Sequence, residues 1–150
     1  MLTGQCNCGA VRFEITEPLV AAAYCHCTRC QRRTGTATQA SAVLAPGSLK
    51  LLQGEDVLRG WWAGDGGEKV FCSVCGSHVF ARNHDTQEPY AVRLGVIDGD
   101  PGVRPQGRVH VSSAAMWEPI PDDGLPRLEG GLGRPADQIR AGDELDDLMA

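Results

Sequence analysis

Short runs of apolar residues interrupted by polar ones recur along the chain at VRFEIT (11–16), TQASAVL (38–44), VLRGWWA (57–63), SHVFA (77–81), YAVRLGV (90–96) and RVHV (108–111). Each is rich in β-branched or aromatic residues, and Gly, Pro, Asp and Asn separate them at intervals typical of an all-β domain. No helical periodicity is sustained before residue 135. PDDGLPRLEGGLGRP (121–135) holds too many breakers for regular structure, and ADQIRAGDELDDLMA after it predicts an acidic, weakly helical tail. The expectation is a mainly β, single-domain protein over 1–150. Its short antiparallel sheets form a core at about 4–130, followed by an irregular or weakly helical segment over 131–150.

The 150 residues are 42% hydrophobic, which suits one domain with a core of ordinary size. The formal net charge is −5, a field that repels nucleic acid and anionic membrane surfaces and removes both as expected partners. No apolar run approaches the roughly 18 residues of a membrane span, and MLTGQC has neither the basic start nor the apolar stretch of a signal peptide. A cytoplasmic location is expected.

Seven cysteines in such a chain have to be explained in a reducing compartment, where clustered thiols bind metal more often than they pair as disulfides. They fall into three groups: CNCG (6–9), CHCTRC (25–30) and CSVCG (72–76). The first and third groups end in glycine, the residue that lets a chain turn tightly round a metal and bring backbone N–H groups to the sulfurs. Gly9 and Gly76 therefore read as the two turns of one closed site that joins Cys6 and Cys8 to Cys72 and Cys75. Cys25, Cys27 and Cys30 remain. A tetrahedral zinc on three protein ligands keeps a position for water or substrate, whereas one on four is closed and structural. Iron–sulfur ligation fits less well, because the spacings match neither usual ferredoxin run.

The order CxCG, CHCxxC and FCSVCGSHVF, followed by a late Trp-Glu-Pro and PDDGLPRLEG, resembles the glutathione-dependent formaldehyde-activating family from about Gly4 to Gly130. That resemblance implies a zinc-bearing β-tent fold. It also implies a structural zinc on the first and third cysteine groups and a second, more labile zinc on the middle three. The chemistry it implies is the condensation of formaldehyde with glutathione to S-hydroxymethylglutathione, or another carbon–sulfur lyase or transfer reaction. A small thiol such as glutathione and an aldehyde are the expected partners.

Three thiolates on a divalent zinc leave one net negative charge, and an incoming thiolate would add another. A metal-bound thiol is deprotonated, so such a site presents a thiolate to an aldehyde carbon at neutral pH. Nearby cations would help. Arg29, Arg32 and Arg33 lie in or just after the middle cluster, where they either offset that charge and hold substrate carboxylates or stand solvated at the surface. Arg29, between two ligands, is the first choice for a substrate contact. His26 is flanked by ligands and reads as a proton carrier or a packing residue. His78, in CGSHVF, reads as a strand residue satisfied by a backbone carbonyl. His84 and His110 read as surface residues. Among Trp61, Trp62 and Trp117, at least two are expected in the core, with Trp117 the candidate for a pocket edge. Gly35 is expected to allow the turn out of the middle cluster.

Two function classes follow. One is a zinc-dependent carbon–sulfur lyase or glutathione–aldehyde enzyme with Cys25, Cys27, Cys30 and Arg29 at its site. The other is a non-catalytic zinc module that binds a protein partner, for which the closed site alone would suffice.

Overall fold

Phe13 and Ile15 alternate with Arg12 and Glu14 along one strand, and both apolar residues are fully buried. The computed structural model in which this is seen describes residues 1–132. Its strands are β1 (Leu2–Gln5), β2 (Arg12–Ile15), β3 (Ala22–Cys25), β4 (Gln39–Val43), β5 (Leu49–Gln53), β6 (Leu58–Trp61), β7 (Glu68–Cys72), β8 (His78–Arg82), β9 (Pro89–Arg93) and β10 (Arg108–Val109). One helix, α1 (Thr28–Thr34), lies between β3 and β4.

The strands form a three-stranded sheet, β1-β2-β5, and a seven-stranded sheet, β10-β3-β4-β9-β8-β7-β6. The expected mainly β architecture of antiparallel sheets is present, with β10 beside β3 as a parallel pair. The core lies where the sheets meet: Val11, Phe13, Ile15 and Leu49 contact the side of the larger sheet carrying Ala42, Val70, Val79, Phe80 and Val92. Each large buried side chain contributes roughly 1.5–3 kcal/mol. Gly4 stands opposite Phe13 in the β1–β2 register. A Cβ there would lie 2.3 Å from Phe13 Cζ and 2.5 Å from the Val96 carbonyl oxygen, so the approach of strand to ring requires glycine.

The six expected strand segments coincide with β2, β4, β6, β8, β9 and β10, with shorter ends. YAVRLGV leaves the sheet after Arg93 in a 3₁₀ turn (Leu94–Val96), and RVHV stops at Val109 because His110 is left-handed (φ 56). Four strands lay outside the expectation. The alanines of β3 (AAYC) carry no preference for strands, and its extended form comes from pairing with β4 on one side and β10 on the other. The seven-residue α1 is too short to display helical periodicity. Its ends are marked instead: Cys27 Sγ accepts the Cys30 N–H at the start, and left-handed Gly35 (φ 70) closes the end. The predicted tail beyond 132 lies outside the described residues. Among the described residues, no helix is long and apolar enough to cross a membrane.

The face of the larger sheet turned away from the core positions the site. Cys25 on β3 is the register partner of Gln39 on β4, and Ser41, two residues on, is the partner of Arg93 on β9. Residues two apart share a face, so one thiol and three polar groups are set side by side. Small residues surround them.

Candidate active site

The seven cysteines are free thiols gathered at two points. Cys6, Cys8, Cys72 and Cys75 have their Sγ atoms within 4.8 Å of one another, with Cys6 to Cys8 at 3.6 Å and Cys8 to Cys72 at 3.9 Å. The two knuckles are built alike. Gly9 N–H donates to the Cys6 carbonyl at 3.0 Å and Gly76 N–H to the Cys72 carbonyl at 2.8 Å, and both glycines are left-handed. Val11 N–H donates to Cys6 Sγ at 3.3 Å. Ser77 Oγ lies 3.2 Å from Cys75 Sγ, and this contact leads the effects that hold the Cys75 thiol down to about 5.

Cys25, Cys27 and Cys30 form the second group, again with sulfurs within 4.8 Å of one another. Cys25 ends β3, Cys27 caps α1 and Cys30 is buried in its first turn. Hydrogen bonds from Cys25 and then Cys30 hold the Cys27 thiol far below the ordinary range, while contacts with Cys27 and Cys30 push Cys25 up. Either group can hold a metal ion through its thiolates.

Cys25 and Cys30 open onto a cavity of about 270 Å³. Ala21, Ala23, Ala91 and Val43 form its apolar side, and their small size makes the space. Gln39, Ser41, Lys69, Arg93 and His110 line the rest. Arg93 is 7% exposed, and burial together with the neighbouring Arg33 lowers it to about 10. Burial and the two arginines likewise bring Lys69 down to about 8. The site thus places cations around a thiol cluster.

The structure distributes the other expected residues unevenly. Arg29 is exposed at the surface and pairs with Asp65 of the β6–β7 loop through Nη1 and Nη2, and Arg32 is exposed. Arg33 turns inward to His78, whose Nδ1 accepts from Arg33 Nη2 at 2.6 Å rather than from a backbone carbonyl. His26 is buried facing Arg108, whose Nη1 donates to its Nε2 at 3.2 Å. Trp117, 66% exposed, edges a separate open cavity of about 500 Å³ with His26 and Arg108. Trp61 and Trp62 are also exposed, against the expectation of core packing: β6 is the edge strand of its sheet, and Trp62 stacks on His84 at 3.8 Å instead.

Five polar cavity residues were not singled out from the sequence as site residues: Arg93, Lys69, Gln39, Ser41 and His110. A signal existed for the first two, since a cation in an apolar strand such as YAVRLGV or EKVFC needs a reason. His110 reaches the cavity through the left-handed turn that ends β10, which no local pattern announced.

A sequence model of the family described as "Glutathione-dependent formaldehyde-activating enzyme" matches residues 1–113. The chain belongs to that family. The glutathione-dependent formaldehyde-activating match spans both cysteine groups and all the polar residues of the 270 Å³ cavity. A Halomonas elongata protein, provisionally named as a glutathione-dependent formaldehyde-activating enzyme, is 31% identical over 128 residues, covering 81% of this chain and 78% of its own length. The crystal structure of a Rhodobacter sphaeroides protein is similar with a TM-score of 0.51 and 29% identity, over 65% of this chain and 89% of that one.

Proposed function

We propose that the chain is a zinc-dependent carbon–sulfur lyase of the glutathione–aldehyde type, which joins glutathione and formaldehyde as S-hydroxymethylglutathione. The observation that carries this reading is the contrast between the two thiol groups. Four sulfurs complete a shell at Cys6, Cys8, Cys72 and Cys75, whereas three converge at Cys25, Cys27 and Cys30 beside a cavity. The donor sets fit zinc: sulfurs about 2.3 Å from a tetrahedral centre are roughly 3.8 Å apart, and the contacts at 3.6 and 3.9 Å lie close to that edge. Zinc bound by the middle three thiolates would keep a coordinated substrate thiol ionised at neutral pH.

The chain's own groups account for the rest. In the reaction the sulfur of glutathione bonds to the carbonyl carbon, and the carbonyl oxygen takes up a proton. Arg33, Lys69 and Arg93 offset the negative charge gathered at the cluster, so the second anion is admitted. His110, on the cavity wall beside Cys25 and Cys30, is placed to carry the proton. The alanine wall limits water at the reacting atoms. Arg29 is exposed on α1 between Cys27 and Cys30, where a substrate carboxylate would displace Asp65 from its guanidinium. A reducing cytoplasm keeps these cysteines as thiols.

The test is to follow carbon-13 formaldehyde and glutathione by NMR with the zinc-loaded protein and without it, alongside the zinc content per chain. Faster formation of S-hydroxymethylglutathione with the protein is expected. A rate equal to the spontaneous one, with both metal sites filled, overturns the reading.

A further inference from the structure

Arg93 is buried in the middle of the larger sheet with three of its five N–H donors directed at no protein atom among the described residues. Its Nη1 donates to Ser41 Oγ at 2.8 Å. Its Nε and Nη2 are buried and have no hydrogen-bond partner among the described residues, and none of the ion pairs there involves it. Those two nitrogens form one edge of the guanidinium plane, the fork that grips a carboxylate with two parallel N–H···O bonds. Buried N–H donors with no acceptor are costly even where the charge itself faces an anionic cluster, so a fork held open in a folded protein calls for an acceptor to fill it.

A second orphan lies beside it. Gln39 Oε1 is buried and unpartnered, while its Nε2 donates to the same Ser41 hydroxyl oxygen at 3.3 Å. Gln39, Ser41 and Arg93 therefore make one row along the wall of the cavity that Cys25 and Cys30 share. The row offers a forked cation and, next to it, a lone acceptor.

We infer that this row is a carboxylate subsite: Arg93 holds both oxygens of a substrate carboxylate, and Gln39 Oε1 accepts from a hydroxyl, amide or ammonium group adjacent to it. The inference rests on the proposed thiol–aldehyde chemistry at Cys25, Cys27 and Cys30, and it adds that the substrate presents an acid inside the cavity rather than only to the exposed Arg29. That acid has two possible bearers with the same chemistry. One is the thiol, since glutathione carries carboxylates beside an ammonium and beside an amide. The other is the aldehyde, as in a 2-oxo acid of the glyoxylate type.

The experiment reads binding rather than turnover. Zinc-loaded protein labelled with nitrogen-15 in arginine is titrated with glutathione, glutathione diethyl ester, glyoxylate and the neutral glycolaldehyde. The Arg93 Nε–H resonance is followed by NMR and affinity by calorimetry. A shift with glutathione but not its diester assigns the acid to the thiol; a shift with glyoxylate but not glycolaldehyde assigns it to the aldehyde. Arg93→Lys, which keeps the charge and loses the fork, and Arg93→Met should each weaken the responding acid on the order of tenfold to a hundredfold. If Arg93→Met does not fold, Arg93→Lys and the wild-type spectra decide. No shift with either acid, neutral probes binding as tightly as acids, or unchanged affinity in Arg93→Lys overturns the subsite. A subsite that binds acid in a protein that forms no S-hydroxymethyl product would leave this inference standing and overturn the proposed reaction.

Discussion

Arg33 Nη2 donates to His78 Nδ1 across 2.6 Å, tying helix α1 to strand β8. A guanidinium can only donate, so His78 is neutral with its proton on Nε2. Burial first, then Arg33 and Arg93, bring its pKa down to about 4. The unfolded chain takes up a proton on this histidine near its ordinary value of about 6.5, while the folded chain resists until about 4. Stability from this group is therefore complete above pH ~6.5 and is lost as the pH falls toward 4. Allowing for solvent screening, the loss should be about 1–2 kcal/mol. Urea midpoints at pH 7 and pH 5 should differ by more in the wild type than in His78→Gln. Equal differences would remove His78 as the source.

Gly4→Ala should destabilise the protein by about 1–3 kcal/mol, the usual cost of forcing extra volume into a filled core. Its Cβ would meet the Phe13 ring on one side and the Val96 carbonyl on the other, and neither can retreat without moving strand β2 or the 3₁₀ turn that follows β9. Thermal unfolding monitored by circular dichroism checks this. An unchanged midpoint would mean that β1 yields more easily than its packing indicates.

The strands readable in advance were those whose β-branched and aromatic residues carry their own preference, such as RFEI and HVFAR. AAYC was not readable, because alanine is neutral about strands and only pairing on both edges fixes it. The knuckle glycines gave away which cysteines meet, since a left-handed turn after a ligand is a local requirement. What surrounds the middle cluster was hidden for a different reason. Arg93, Ser41 and Gln39 become neighbours only through the β4–β9 register, and His110 only through a backward turn at the end of β10. Arg29, the nearest cation in sequence, faces Asp65, whereas Arg93, more than sixty positions from Cys30, faces the cavity.

Cys72→Ser should prevent stable folding. Structural zinc contributes apparent binding free energies of roughly 10–16 kcal/mol, against a whole-domain stability of about 5–15 kcal/mol. Cys72 is fully buried at the end of β7, where a serine hydroxyl would replace a thiolate of the proposed zinc site. Soluble mutant protein that unfolds cooperatively and retains one tightly bound zinc at this site would refute the ligand set.

Arg29→Ala should raise the KM for a glutathione-type substrate several-fold and leave the unfolding midpoint essentially unchanged, because exposed ion pairs contribute little to folding. Asp65→Asn is the companion variant. By freeing the Arg29 guanidinium, it should lower the same KM. If neither substitution alters the kinetics, the Arg29–Asp65 pair is a surface contact with no part in binding.

Cys27→Ser separates the two proposed metal sites. Serine is a good helix N-cap, so the hydrogen bond that Cys27 Sγ accepts from the Cys30 N–H can be kept by its hydroxyl, and α1 should survive. The three-thiol cluster loses its most acidic member, and with it the metal and the reaction. In the wild type, the same division should appear under mild chelation or excess thiol, because a site with three protein ligands exchanges more readily than one with four. Zinc released into a chelator titration should come out in two phases. The first should abolish activity while the far-ultraviolet circular dichroism stays constant; only the second should unfold the sheets. Loss of both metals together with the fold, or a Cys27→Ser protein that keeps full activity, would show that the two cysteine groups do not divide structure from chemistry in this way.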